Sequence, residues 1–244
     1  MKLVYIANAR IPSEKAHPYQ VLKMYEAFKS KVKLSPRMKW LIENAKGTTI
    51  LDVGFVGSKS EPLVHLMIRQ NNSSSRVIGC DIDEMKIRVL NLHNTLVSDV
   101  HFLPFVNSFF DVVVLGEFVE HFYNLSPLLK EVARVTQSGG KVLLTTPNPY
   151  GCPRWFKHWL LPSNPASIQN FKNFLYSEDH LVFWEPLSLC NILEQHQLRP
   201  VFITSRHQLV PLLCRLIPWL GNLDINVYPF NRTGLYTCII ARKK

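Results

Sequence analysis

Four carboxylates in the middle of the sequence stand at the ends of apolar runs, where side chains can meet a ligand. Asp52 lies in Ile50-Leu51-Asp52-Val53-Gly54-Phe55-Val56-Gly57, and Asp81 ends Ile78-Gly79-Cys80-Asp81-Ile82-Asp83. Asp99 precedes Leu103-Pro104-Phe105 by four residues, and Asp111 opens the run after that. A second group follows in Glu117-Phe118-Val119-Glu120-His121, with a distant His180 in Ser177-Glu178-Asp179-His180. Glu117, Glu120 and His121 are spaced i, i+3 and i+4, so one helical face can carry all three. Imidazoles titrate near neutral pH and suit proton abstraction from a hydroxyl. Carboxylates accept hydrogen bonds from diols and amino groups and attract cations.

The loop after Val53 narrows the ligand. Gly57-Ser58-Lys59-Ser60 only mimics a phosphate-binding loop, because its glycine spacing is wrong. A dinucleotide fingerprint needs a third glycine, and only Gly54 and Gly57 are present. Asp52 at that turn would repel a pyrophosphate. The carboxylate fits instead a positively charged, phosphate-free ligand, and S-adenosylmethionine is one, with its sulfonium, amino group and ribose diol. Gly54 and Gly57 let the backbone approach closely. Asp81 is placed to accept from the ribose hydroxyls and Asp99 from the adenine amino group. Phe55, Ile82, Val100 and Glu117 complete the expected cofactor-binding set with Asp52. Asp83 reads as the N-cap of the helix that follows.

The elements that must position these residues alternate. Ser35-Pro36 opens a helix over 36–46 that Gly47 closes. Strands are expected at Thr48–Val53, Val77–Cys80, Phe110–Leu115, Lys141–Thr146, Arg199–Thr204 and Leu235–Ala241. Helices are expected at Glu61–Gln70, Glu84–Leu96, Pro127–Val135 and about Leu187–Gln195. Continuous apolar strands alternating with helices predict an α/β fold with a parallel sheet covered on both faces. Residues 2–7 read as a further strand, followed by a loop and an amphipathic helix with Val21, Met24, Tyr25, Phe28 and Val32 on one face. After Pro147 the alternation breaks. Residues 147–180 hold five prolines and seven aromatics, the mark of a functional insertion, here read as a lid over the acceptor. Arg154-Trp155-Phe156-Lys157-His158-Trp159 within it suits a sugar face, a membrane interface or core, and Leu209–Leu220 a greasy wall.

Five blocks, L-D-V-G-F-V-G (51–57), V-I-G-C-D-I-D (77–83), L-P-F-V-N-S-F-F-D-V-V-V (103–114), G-E-F-V-E-H-F (116–122) and L-L-K-E-V-A-R-V-T-Q-S-G-G-K-V-L-L-T-T-P-N (128–148), resemble class I S-adenosylmethionine-dependent methyltransferases. The resemblance covers roughly 34–244 and implies a Rossmann-like, seven-stranded, mostly parallel sheet with helices on both faces and the last strand antiparallel. The first loop departs from the family's D-x-G-x-G-x-G, with Phe55-Val56 before Gly57 and Ser58 in place of the third glycine. This variant resembles a subgroup associated with sugar and polysaccharide biosynthesis. Residues 1–30 resemble the opening strand, loop and helix of family-4 glycosyltransferases, and 1–33 is therefore set apart as an extension. The implied activity is O-methylation of a sugar hydroxyl in a glycan, nucleotide-sugar or lipid-linked precursor, with His121, His180 and Glu120 as the catalytic group. No metal is expected. Glu117, Glu120, His121 and His180 nevertheless resemble the metal-binding set of small-RNA 2′-O-methyltransferases, which would hold Mg²⁺ or Mn²⁺. That leaves an RNA ribose methyltransferase as one alternative and a non-catalytic scaffold of a glycosyltransferase complex as another.

Composition bounds these readings. A chain of 244 residues with 47% hydrophobic content can bury a core without disulfides or metal. Its five cysteines are odd in number, dispersed, and form no C-x-x-C pair, as expected of reduced cytosolic thiols. The short apolar start, followed at once by Arg10, is read as a strand rather than a signal peptide. No apolar run reaches the roughly 18 residues of a span. The net charge of +10 is flanking: +7 over 1–46, −2 over 47–141 and +5 over 142–244. Lacking an RNA-recognition signature, the chain is expected to take a small-molecule or glycan acceptor and no nucleic acid. It is expected in the cytoplasm, with contact at the inner membrane face, a glycosyltransferase partner and the oligomeric state left open.

Overall fold

The computed structural model describes residues 34–57, 61–151, 180–206 and 230–244. The N-terminal strand and helix, the segment 154–159 and the stretch 209–220 lie outside the described residues. The order of elements is α1 (Pro36–Asn44), β1 (Thr49–Val53), α2 (Glu61–Asn71), β2 (Arg76–Asp81), α3 (Glu84–Leu90), β3 (Thr95–Val97), β4 (Phe110–Gly116), α4 (Ser126–Val135), β5 (Thr136–Pro147), α5 (Pro186–Gln195), β6 (Leu198–Arg206) and β7 (Tyr236–Lys243). The seven strands form one sheet in the order β3-β2-β1-β4-β5-β7-β6. β3, β2, β1, β4 and β5 pair in parallel, while β7 runs antiparallel to both its neighbours. The expected α/β architecture, with its antiparallel last strand, is observed.

Alternation along β4 explains the layering. Val113 and Leu115 face a core built with Leu128, Leu129 and Val132 of α4 and Leu189 and Leu193 of α5. Val112 and Val114 face the opposite core, with Trp40 and Leu41 of α1 and Leu63, Val64 and Ile68 of α2. Both faces are buried, so a strand as β-branched as this one has no solvent side. The entry to α1 is as its sequence demands: the Ser35 hydroxyl accepts from the Met38 N–H at 3.3 Å, and Pro36 fills the first turn.

The stretch after β2 differs from expectation. The helix from Glu84 stops at Leu90 instead of reaching Leu96, because Asn91 takes a left-handed φ of 44° and caps it. Asn94 is left-handed as well, at 59°, and the chain turns into β3, whose three residues pair with the end of β2. Asparagine tolerates this region better than most residues. The strand is too short to show an apolar rhythm of its own. Asp83 does cap α3, accepting from the Lys86 N–H at 2.9 Å.

At the opposite end of the sheet Asp111 ties strand starts together. Its carboxylate accepts from the N–H groups of Thr48 (2.6 Å) and Thr49 (3.0 Å), from the Thr48 hydroxyl and from Gln137. Burial pushes its pKa up, but the hydrogen bonds from Thr48 and Thr49 outweigh that and hold it below the ordinary value. Asp111→Ala is expected to cost about 1–3 kcal/mol near neutral pH. A depressed pKa stabilises the fold above the unfolded value and ceases to do so as pH falls through the folded one. Urea titrations should therefore show the gap between variant and wild type closing in acid.

Candidate active site

The carboxyl ends of β1, β2, β4 and β5 share one rim. At the end of β1 the chain turns on Gly54, whose φ is 75° and whose N–H donates to the Cys80 carbonyl at 2.9 Å. The Gly57 N–H then closes onto the Gly54 carbonyl at 3.0 Å. Glycine is required at 54 for a second reason: a Cβ there would run into the Phe118 ring. Asp81, the last residue of β2, faces this loop. Its Oδ2 accepts from the Val56 N–H at 3.2 Å and its Oδ1 from the Asp83 N–H at 3.0 Å. A carboxylate offers about four acceptor positions, so one backbone contact per oxygen leaves capacity for a diol. Ile82 beside it is 70% exposed, a bare apolar platform on the rim. Asp99 opens the turn at Val100–Phe102, where its Oδ1 accepts from the His101 N–H at 2.9 Å and lies 2.8 Å from His101 Nδ1. The backbone bond from His101 leads in holding its carboxyl below the ordinary range. Val100 itself is buried.

Two residues of the expected cofactor set turn inward. Asp52 is buried within β1, and its Oδ2 lies 2.9 Å from Nδ1 of His65, a fully buried residue of α2. Phe55 is likewise buried, its ring packed on the His65 imidazole at 4.7 Å between centroids. Their side chains support the loop from beneath rather than lining the rim.

The second cluster forms where β4 and β5 end. Glu117 takes a left-handed φ of 51°, and its N–H donates to the Thr145 carbonyl at 2.9 Å. The strain re-aims the chain so that the following turn delivers Glu120 and His121 to the rim. Glu120 has no exposed surface. Its Oε2 accepts from the Thr146 hydroxyl at 3.0 Å, and its Oε1 lies 3.8 Å from His180 Nε2. The Glu120 carbonyl accepts from the N–H groups of Leu181 (3.0 Å) and Val182 (3.1 Å), which pins the chain that leads into α5. The Trp184 indole N–H adds a bond to the Val119 carbonyl at 3.0 Å. The His121 and His180 rings consequently meet edge to face, with centroids 5.4 Å apart and planes inclined by 71°. Glu120, His121 and His180 each offer a ligand atom within 4.8 Å of the others; Glu117 is not part of that group.

Sequence reasoning missed four residues here. Arg37, on α1, is buried beside the Thr145 hydroxyl at 3.5 Å, with its guanidinium 5.4 Å from the Tyr236 ring centre. Thr145, Thr146 and Phe118 read as ordinary strand and core residues. Only the three-dimensional fold shows that they touch the two glutamates and Gly54.

Burial, followed by the charge of Glu117, pushes the Glu120 carboxyl from its ordinary 4.5 up to about 9, against the pull of Thr146 and Arg37. Glu120 is therefore protonated in the folded protein at neutral pH. The folded chain binds a proton that the unfolded chain has released, so this group makes stability fall as pH rises through that window. Glu120→Gln should match wild type in acid and melt several °C higher at pH about 9, given that each kcal/mol moves a chain of this size by about 2–4 °C. Melting curves across pH check this.

Residues 51–144 match the methyltransferase domain family. No curated protein matches the chain in sequence. Among solved structures, an S-adenosylmethionine-dependent methyltransferase from Thermotoga maritima superposes with a TM-score of 0.62 at 12% identity, covering 92% of this chain and 97% of that one. One from Archaeoglobus fulgidus gives 0.56 at 21% identity, covering 92% and 99%. A Haloferax volcanii structure, the complex of a methyltransferase with the Trm112 methyltransferase activator, gives 0.57 at 14% identity, covering 92% and 96%. At these identities the likenesses establish the fold. The match over residues 51–144 adds the chemistry, that of a methyltransferase domain with S-adenosylmethionine as its cofactor.

Proposed function

We propose that this enzyme transfers the methyl group to a sugar hydroxyl of a glycan, nucleotide-sugar or lipid-linked saccharide precursor, with one imidazole of the pair His121 and His180 taking the hydroxyl proton. Bound S-adenosylmethionine supplies an electrophilic methyl on its sulfonium. The protein must then align the acceptor and take its proton. The observation that carries the reading is the edge-to-face imidazole pair, with ring centroids 5.4 Å apart, beside a fully buried Glu120 at the rim. A hydroxyl acceptor needs such a base, whereas a neutral amine does not. Glu120 acts as the group that orients His180. On the cofactor side, Asp81 holds the ribose diol, Asp99 the adenine amino group and Ile82 the adenine face, with Gly54 and Gly57 giving the backbone close approach. The sugar assignment is supported by the sequence resemblances of the first loop and of residues 1–30.

Calorimetry and turnover test these roles separately. Asp81→Ala should weaken cofactor binding by about 10-fold or more, as expected when a charge-assisted bidentate contact is lost. His121→Ala and His180→Ala should leave that binding near wild type while lowering turnover by roughly 10²–10⁴ for at least one of the two. Full turnover in both variants would refute the base chemistry. Labelled cofactor incubated with fractionated cell extract identifies the acceptor by the fraction that takes up label.

A second reading has its own observation. The Glu120, His121 and His180 trio is compact enough to bind one divalent ion against a ribose diol, which would make the enzyme an RNA 2′-O-methyltransferase. Under that reading Mn²⁺ or Mg²⁺ raises the melting temperature and is required for turnover, and RNA affinity falls steeply with added salt. Turnover unaffected by a chelator returns the decision to the metal-free base.

A further inference from the structure

The first loop places two bulky residues, Phe55 and Val56, between Gly54 and Gly57, yet it still closes on Gly54 and reaches Asp81. The explanation lies under the loop. Gly79 of β2 stands beside Asp52 of β1 in the sheet register. A Cβ on Gly79 would lie 2.9 Å from Cδ1 of Phe55 and 2.9 Å from Cε1 of His65. The missing side chain thus leaves a slot that the Phe55 ring and the His65 imidazole fill together. His65 is held in its orientation by the 2.9 Å contact of Nδ1 with Asp52. Phe55, with 1% of its surface exposed, packs on it. One residue further on, the Val56 N–H donates to Asp81 Oδ2.

We infer that Gly79 and His65 are positioning residues of the cofactor loop: they open a slot beneath it into which Phe55 sinks, and the depth of Phe55 sets the register of Val56 on Asp81. A vacancy in the neighbouring strand thus makes room for the bulky residue of the loop. The inference rests on Gly54–Gly57 being the cofactor loop. Close-packed interiors do not absorb an added methyl group at 2.9 Å without displacement. Alanine at 79 therefore lifts Phe55 toward the rim and draws Val56 away from Asp81.

The test is a double-mutant cycle read by calorimetry with S-adenosylmethionine, with melting curves confirming the fold. Gly79→Ala should weaken binding about 10-fold or more with Phe55 in place, and less than about 3-fold in a Phe55→Leu background, where the smaller side chain relieves the overlap. Equal losses in both backgrounds, or none in either, overturn the inference. Should Gly79→Ala fail to fold, His65→Gln carries the test. The amide keeps a donor for Asp52 but removes the ring on which Phe55 packs, so a folded variant must bind about 5-fold more weakly or worse, and unchanged affinity overturns the inference. Wild-type protein that binds no S-adenosylmethionine would instead sink the assignment of Gly54–Gly57 as the cofactor loop, taking this inference with it.

Discussion

Burial of both faces of the parallel strands is the constraint from which the rest follows. Once β4 has given Val112 and Val114 to one core and Val113 and Leu115 to the other, only strand ends remain for chemistry. Parallel pairing of β2, β1, β4 and β5 brings their carboxyl ends to the same side. Polar residues far apart in the chain, such as Asp81, Asp99, Glu120 and Thr146, become neighbours of one rim without any loop having to travel to gather them.

Charge at that rim and beneath it is handled in three different ways, and each fits its burial. Asp81 and Asp99 keep access to solvent and are steadied by backbone N–H groups. Asp52, closed off from water, is answered by His65. Glu120, with Glu117 as a neighbour of like charge, holds its proton. A buried carboxylate without compensation is costly, and protonation or an imidazole partner removes most of that cost. Arg37 adds a positive charge near Glu120 from the opposite helical layer.

What was legible in the sequence was whatever depends on a few adjacent residues. The F-D-V-V-V-L strand, the Ser35 and Asp83 caps and the loop ends bearing Asp81 and Asp99 all carry local signals. The pairing of His121 with His180 was legible only as a juxtaposition of candidates; the hydrogen bonds from Leu181 and Val182 to the Glu120 carbonyl are what bring them together. β3 was hidden because three residues show no periodicity and the turn before it depends on two left-handed asparagines. His65 and Arg37 looked like ordinary helix residues, since a helical wheel does not reveal that the partner across the interface is a carboxylate or a threonine. Gly79 gave the weakest signal of all, because its role is an absence of atoms that matters only once Phe55 lies against it.

The position of β7 has a consequence for synthesis of the chain. It lies between β5 and β6 although it follows both in sequence. On the ribosome, β6 therefore has no partner to zip onto until β7 emerges, and the two must enter the sheet together or with β7 first. Until then the edge of β5 stays open, a sticky border that chaperones or a neighbouring nascent chain can occupy.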